Sequence, residues 1–400
     1  MASPLDNINS IPPSAIYDQR PHPLAFGRPV QAHDTTAKQL PSPDSVLIHP
    51  LPAAPKKREE IFVRACQAGN EAQVQHLLNA APSLTACDNY RELLSDAIMK
   101  GEGGVVDLLL AFKKNDPEDQ QFFLNVAIGD AVYEGHVAIL KSLLNRQRKC
   151  KWVELLNSGH LHVAVSLGHG EIAALLVEAG SNINAKSDLL SGTPLTYAAQ
   201  HGHRLMVRRL LELGADPNRR PDNTGPTPLA WACYAGDLSV VKMLLEAGAL
   251  VDRGERDSYT PLAVAVNYGR EEIVDHLLLC GADVNAAFEP RQAPLYRAVI
   301  NNRRQLLDVL LQAKAAADLL CEQEVEETPL MAAVRLGHYS YAELLVDHGA
   351  DLHKTGAEGF SALELAVRGG VNRSRIAVML HEKAAQQAPR PGAQPQRAEQ

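Results

Sequence analysis

The sequence has few aromatic residues and no long apolar run. Only 5% of its 400 residues are aromatic, and no stretch approaches the roughly 18 apolar residues that a membrane-spanning helix needs. The opening residues, Met1 to Asp6, lack the basic start and apolar stretch of a secretion signal. We therefore expect a cytoplasmic protein, with the nucleus as a second compartment, that makes no membrane contact.

Cysteine and histidine show no arrangement that is typical of a metal site. The six cysteines contain no C-x-x-C pair, so we interpret all of them as small core residues. The 15 histidines, including the pair His160 and His162, have no Cys, Asp or Glu at a suitable spacing to complete a ligand set. We predict neither a metal nor a cofactor. The cysteines are Cys66, Cys87, Cys150, Cys233, Cys280 and Cys321.

Motifs of common catalytic sites are also missing. The chain has no G-x-x-x-x-G-K-[ST] phosphate loop, no H-E-x-x-H zinc helix and no G-x-S-x-G nucleophile turn. The stretch from Gly101 to Gly104 resembles part of a nucleotide loop, but Val106 stands where the last glycine belongs. The sequence thus predicts a protein without enzymatic activity.

Positive charge is in deficit. The formal net charge is −8, and residues 59–383 hold 31 basic against 42 acidic side chains. An array with this balance repels a nucleic acid backbone, so we expect no direct nucleic acid binding.

The sequence does contain a strict period. Ten alanines recur at spacings of 32 to 35 residues, and nine of them are followed four residues later by glycine. A fixed period over three hundred residues is typical of a stacked repeat array. These alanines are Ala65, Ala97, Ala131, Ala164, Ala198, Ala232, Ala265, Ala298, Ala333 and Ala366.

Each period predicts two helices. The run Thr193-Pro194-Leu195 combines a capping residue with proline at the first helical position, and similar runs open the later repeats. The glycine four residues after the alanine suits a left-handed turn, and Asn302 takes its place in repeat 8. A leucine pair such as Leu244-Leu245 marks the second helix, which ends at a further glycine from repeat 4 onward, except at Lys314.

These residues resemble the ankyrin repeat family, whose pattern reads T-P-L-x-x-A-x-x-x-G-H and then L-L-x-x-G-A-D-x-N. The match is specific over residues 157–380 and weaker over residues 61–148, where only Ala, Gly and the leucine pair persist. The resemblance implies an all-α repeat solenoid of about ten stacked helix-turn-helix units with β-hairpin loops. It also implies protein binding through the concave face of the stack.

The ends of the chain differ from the repeats. Residues 1–58 hold eleven of the 25 prolines, and we expect this arm and the tail of residues 384–400 to be disordered. Residues 59–383 form the expected repeat domain, with its first and last repeats acting as caps. In the arm, Lys56-Lys57-Arg58 resembles a weak nuclear import signal, and Ser42-Pro43 is a candidate phosphorylation site.

The resemblance also implies where a partner binds. In the family, the two residues before the repeat glycine and the loop tips face the groove, and here aromatic residues concentrate in the central repeats. Tyr and Trp suit a binding hot spot, although Tyr197, Trp231 and Arg297 occupy a position that is usually buried. The candidate protein-binding residues on the helices are Gln200, His201, Tyr234, Asn267, Tyr268, Tyr296, Ile300, Asn301 and Arg335.

A cluster of carboxylates follows repeat 8. Glu322, Glu324, Glu326 and Glu327 form a predicted acidic loop tip, which either binds a basic peptide or pairs with Arg303 and Arg304. We include these four residues in the candidate site.

The sequence thus predicts a non-catalytic scaffold or adaptor, a monomer, that binds a protein partner through the groove and the loop tips. Two alternatives remain open. One is a nuclear regulator of transcription that acts by protein binding, which needs the basic cluster in the arm to work. The other is a substrate adaptor of a ubiquitin ligase, which needs a recruiting box that the sequence does not visibly contain.

Overall fold

The computed structural model describes residues 54–86, 89–112, 117–150, 158–187, 192–220, 225–254, 259–287, 293–318, 327–356, 358–370 and 373–387. These stretches contain twenty α-helices. The chain divides into two compact units at residue 190. The predicted arm up to residue 53, residues 388–400 of the tail and the acidic residues 322, 324 and 326 lie outside the described stretches.

In the unit before residue 190, four helix pairs correspond to repeats 1 to 4. The two helices of each pair pack together, and each helix also packs against its counterpart in the next repeat. Repeats 1 to 3, which were predicted from periodicity more than from motif, are thus confirmed as helix pairs. The pairs are Pro55–Gln67 with Glu71–Ala80, Tyr90–Met99 with Gly103–Phe112, Pro117–Glu134 with Val137–Cys150, and Ser158–Ser166 with Gly170–Glu178.

In the unit from residue 190 onward, six further pairs stack in the same way and form repeats 5 to 10. The first helices are Pro194–Gln200, Pro228–Ala235, Pro261–Asn267, Pro294–Ile300, Pro329–Leu336 and Ala362–Arg368. The second helices are Arg204–Glu212, Leu238–Glu246, Glu271–Leu279, Arg304–Gln312, Tyr339–Asp347 and Ser374–Gln387.

The predicted caps open the first helices. The hydroxyl of Thr227 accepts a hydrogen bond from the Ala230 amide at 3.2 Å, and proline occupies the first helical position. Thr193, Thr260 and Thr328 cap their helices in the same way. Each cap satisfies an amide that has no partner inside its own helix.

The turns between helices need left-handed backbone, which glycine adopts without steric cost. Gly236 ends the first helix of repeat 6 with φ +83°. Asn302 (φ +57°) and Lys314 (φ +64°) adopt the same conformation where the sequence departs from glycine. The predicted substitution of Asn302 for the repeat glycine is thus confirmed.

The repeat alanines and leucine pairs form the core. Ala198, Ala232 and Ala265 are fully buried, and at least one member of every leucine pair, or of Met379-Leu380, is buried. Cys66 and Cys233 are buried as predicted, and burial raises the pKa of the Cys233 thiol. The prediction is wrong for Cys280, which is exposed because it follows the last turn of a second helix on the solvent side.

Loops after two of the second helices form hydrogen bonds with the loop of the following repeat. The side-chain oxygen of Asn218 accepts a hydrogen bond from the Leu250 amide at 2.8 Å, and that of Asn285 from the Ala316 amide at 2.7 Å. The loop tips lie largely outside the described stretches. In the loop before the last first helix, Thr355 and Ser361 form an isolated antiparallel bridge.

Candidate protein-binding surface

The candidate residues stand in rows across the first helices of repeats 5 to 9. Consecutive first helices pack against one another in this unit, so residues at equivalent positions become neighbours although about 33 residues separate them in sequence. The candidate residues fall into three groups of contacts, which lie in repeat 5, in repeats 6 to 8, and in repeats 8 and 9.

An aromatic pair links repeats 6 and 7. The rings of Tyr234 and Tyr268 meet edge to face, with centroids 4.7 Å apart, and both residues are half-buried. Trp231 packs edge to face against Tyr234, with ring centroids 5.6 Å apart, and only 8% of Trp231 is exposed. The indole therefore belongs to the core, whereas the two tyrosines are partly exposed, with the Tyr268 hydroxyl among their buried atoms.

A carboxamide pair links repeats 7 and 8. The Asn301 side-chain nitrogen donates hydrogen bonds to the Asn267 side-chain oxygen at 2.9 Å and to the Arg297 carbonyl at 3.0 Å. The carbonyl fixes the orientation of the Asn301 amide, because only its NH₂ group can donate there. Both asparagines are half-buried, as is the neighbouring Ile300.

His201 forms the repeat 5 group with Tyr197. The two rings stack with centroids 4.1 Å apart, and the His201 Nδ1 lies 2.9 Å from the Tyr197 carbonyl oxygen. His201 is exposed and Gln200 is half-buried. Burial, together with the nearby His201, lowers the pKa of His203.

A half-exposed ion pair in repeat 9 is linked to repeat 8 through Tyr296. Arg335 donates from Nε and Nη2 to the two carboxylate oxygens of Glu327 at 3.0 and 2.7 Å, and the Tyr296 hydroxyl binds the same carboxylate at 2.6 Å. Glu327 and Tyr296 are buried, whereas 47% of the Arg335 side chain remains exposed. The hydrogen bonds that Arg335 donates to Glu327 raise the pKa of Arg335.

Glu327 therefore does not lie at an open acidic tip. Its partner is Arg335 rather than Arg303 or Arg304, because the residue directly before the capping Thr328 turns toward the helix end instead of the solvent. The acidic tip thus loses one of its four carboxylates.

Arg270 is a residue that sequence reasoning missed. Its Nη2 donates to the carbonyl oxygens of Tyr234 at 3.1 Å and Ala235 at 3.4 Å, so it covers the end of the helix that carries Tyr234. Its position directly after the repeat glycine Gly269 was the feature of the sequence that could have identified it. In repeats 3 and 4 a histidine takes that position, and the Nε2 atoms of His136 and His169 each lie 3.4 Å from a carbonyl of the preceding repeat.

The described residues hold no group of three or more His, Cys, Asp or Glu that could bind a metal ion. His160 is buried, and burial lowers its pKa from the ordinary 6.5 to about 4. None of the helices in the described part of the chain combines the length and the apolar character needed to cross a membrane.

Comparison with known proteins agrees with the repeat pattern. A family model described as ankyrin repeats (3 copies) matches residues 128–221, 219–288 and 291–388. Repeats of this kind generally mediate protein–protein interaction and are typically not catalytic. No curated protein matches the chain.

Two solved structures resemble the chain. The ankyrin repeat domain of human ASB11 is 31% identical, with 56% of this chain and 96% of that chain covered and a TM-score of 0.46. The ankyrin repeat domain of Bcl-3, described as a unique member of the IkappaB protein family, is 28% identical over 56% of this chain and 97% of that chain, with a TM-score of 0.48. The family model covers well over half of the sequence, and the chain belongs to the ankyrin repeat family.

Proposed function

We propose that this protein is a non-catalytic scaffold or adaptor that binds a protein partner through the first helices of repeats 5 to 9. The binding surface consists of Tyr234, Tyr268, Asn267, Asn301 and the exposed edge of Arg335. His201 and Gln200 extend it into repeat 5, and Ile300 lies within it.

The tyrosine pair is the observation that carries this proposal. Tyr234 and Tyr268 hold each other in one geometry, Trp231 packs beneath Tyr234, and Arg270 fixes the backbone of Tyr234. A rigid aromatic surface loses little conformational entropy on binding, so it suits a hot spot. Tyrosine and arginine are also among the residues that are enriched at interfaces.

No observation in the described residues favours the nuclear alternative. Lys56, Lys57 and Arg58 lie in the first turn of the helix Pro55–Gln67, where Lys56 and Lys57 are exposed. A helix N-terminus is an unfavourable place for cations, because the helix dipole is positive there. Because these three residues belong to the helix Pro55–Gln67, the first repeat begins upstream of residue 59.

Affinity purification with quantitative mass spectrometry tests the proposal. The tagged full-length protein, the Tyr234→Ala/Tyr268→Ala variant and a control variant are each expressed in native cells. The control is Leu205→Ala/Leu279→Ala, which removes two exposed apolar side chains from second helices (81% and 85% exposed).

We expect the amount of partner protein recovered with the tyrosine variant to fall by about tenfold or more. A tenfold loss of affinity corresponds to about 1.4 kcal/mol of binding free energy. The control should capture the same partners as the wild type, and both variants should melt within a few degrees of it. Equal partner recovery by all three proteins would remove this surface from consideration.

A further inference from the structure

The carboxamide pair Asn267 and Asn301, in repeats 7 and 8, does not use all of its hydrogen-bonding groups within the pair. Asn301 uses both of its N–H donors, one on Arg297 and one on Asn267. Within the described residues, the Asn301 side-chain oxygen and the Asn267 side-chain nitrogen make no hydrogen bond. The Asn301 oxygen and the NH₂ group of Asn267 thus remain as an acceptor and a donor group on one hydrogen-bonded, half-buried pair.

This combination is complementary to a peptide group. A peptide C=O accepts from an NH₂ group, and the N–H that follows along the chain donates to an amide oxygen. A helical segment has already used these main-chain groups internally, whereas an extended segment offers them outward. The pair therefore favours an extended partner.

The charges on the first helices of repeats 5 to 10 indicate which charge the partner segment carries. These six helices carry three arginines, Arg297, Arg335 and Arg368, and one carboxylate, Glu364. Glu364 binds the Ser361 amide of its own capping box. The second helices of the same repeats carry nine Asp and Glu against seven Lys and Arg. Even with Glu327 counted beside Arg335, the first-helix face is the one that favours acidic groups.

Arg335 can receive a carboxylate. Its Nε and Nη2 bind Glu327, while close to half of the side chain stays exposed, so its remaining N–H donors are available on the solvent side. Arg335 lies one repeat beyond Asn301, on the far side from the tyrosine pair. The surface thus presents three kinds of contact in a fixed order along the stack.

We propose that this surface binds an extended acidic segment of a partner protein. The main chain of the segment pairs with Asn267 and Asn301, an apolar side chain contacts Tyr234 and Tyr268, and a carboxylate binds Arg335. This inference rests on the proposed function and specifies its partner.

The geometry sets the spacing of the segment. Packed helices lie about 8 to 10 Å apart, and an extended chain advances about 3.3 Å per residue. Two repeats separate the tyrosine pair from Arg335, so the apolar side chain and the carboxylate should stand about six residues apart.

A library of random 12-residue linear peptides displayed on phage is the probe for this inference. The library is selected on the full-length protein without counter-selection, and each enriched peptide is then assayed against the Tyr234→Ala/Tyr268→Ala variant. We expect enrichment of sequences that combine an apolar residue with Asp or Glu about six positions away. Enrichment of basic sequences, or of none, overturns the inference.

Chemical variants of the best peptide then test each contact. Replacing its carboxylates by amides should weaken binding by about tenfold at low salt, and less at high salt. Methylation of one interior main-chain nitrogen should weaken it by a similar factor, because the N–H that donates to Asn301 is lost. That methylation should have no effect on the affinity of the Asn267→Ala/Asn301→Ala variant.

The control for this variant is Gln305→Ala/Gln312→Ala, which removes two exposed amides from the second helix of repeat 8 and should retain the methylation penalty. An equal penalty in both variants overturns main-chain recognition.

If selected peptides require the tyrosines but are neither acidic nor sensitive to methylation, the inference fails and the proposed function stands. If the tyrosine variant binds them as well as the wild type does, the proposed surface itself fails.

Discussion

Arg270 serves both the stack and the candidate surface. Its guanidinium group lies over Gly236, and a Cβ atom at Gly236 would stand 2.6 Å from the Arg270 Cζ. Because there is no side chain at residue 236, Arg270 reaches the carbonyls of Tyr234 and Ala235. Gly236 is thus needed for its left-handed φ and for the space above it.

This double role gives a prediction for Gly236→Ala. The left-handed backbone should cost about 1 kcal/mol of unfolding free energy, and displacement of Arg270 about 1 kcal/mol more through its lost hydrogen bonds. Gly214→Ala is the matched control, because Gly214 has φ +89° but nothing within 4 Å of the added Cβ.

Denaturant titration of four proteins measures the difference. The variants are Gly236→Ala, Gly214→Ala, and each of them combined with Arg270→Ala. The excess cost at Gly236 should disappear in the Arg270→Ala background. An excess that persists without Arg270 would show that the guanidinium is not its cause.

His160 makes the unit before residue 190 sensitive to acid. Its folded pKa of about 4 lies below the ordinary value of 6.5 because burial disfavours the charged ring. The neutral ring therefore stabilises the fold fully above pH 6.5, and this contribution is lost as the pH falls from 6.5 toward 4. At pH 5 the loss is about 2 kcal/mol.

We predict that His160→Gln reduces the fall in unfolding free energy between pH 7 and pH 5 by about 2 kcal/mol. Urea unfolding at the two pH values measures this change, with His76→Gln, an exposed histidine of the same unit, as the control. Identical pH dependence in the wild type and His160→Gln would contradict a buried neutral ring.

At the scale of the helix, repeat 8 lacks one stabilising feature of its neighbours. Ala293 precedes its first helix and provides no side-chain cap, whereas threonine caps repeats 5, 6, 7 and 9. Ala293 is buried, as are all four threonines. A threonine therefore fits the equivalent position in the neighbouring repeats.

We predict that Ala293→Thr stabilises the unit by about 1 kcal/mol, because its hydroxyl would accept from the Tyr296 amide. Thr260→Ala should cost a similar amount. Thermal unfolding followed by circular dichroism compares both variants with the wild type. A lower melting temperature for Ala293→Thr would mean that repeat 8 has no space for the hydroxyl.

Features that depend on one helix were predictable from the sequence. The threonine caps, the glycine turns and the substitution of Asn302 for glycine follow from local backbone preferences, and the structure confirms them. The exposure of Cys280 was not predicted correctly, since the repeat pattern assigns buried positions less clearly at the end of a second helix.

Contacts between repeats were less predictable. The pairing of Asn267 with Asn301, and of Tyr296 with Glu327 beside Arg335, depends on side-chain rotamers and on the stacking of neighbouring helices. The sequence pattern places these residues on one face but does not decide which of them touch. For the same reason it suggested Arg303 and Arg304 as partners of the acidic cluster, which includes Glu327.

At the scale of the whole molecule, the candidate surface lies entirely in the unit from residue 190 onward. Each repeat there buries its apolar face against its neighbours, so the first helices hold their exposed residues on a rigid support. Binding residues can then vary while the fold is kept. The central claim is that a partner contacts this first-helix face and not the second helices.

Site-specific photo-cross-linking in native cells tests this claim most directly. A benzophenone amino acid replaces Tyr234 on the first helix of repeat 6, or Lys242, which is exposed on the second helix of the same repeat. On irradiation we predict covalent partner adducts from position 234 and none from position 242. Adducts from position 242 with none from position 234 would contradict the account.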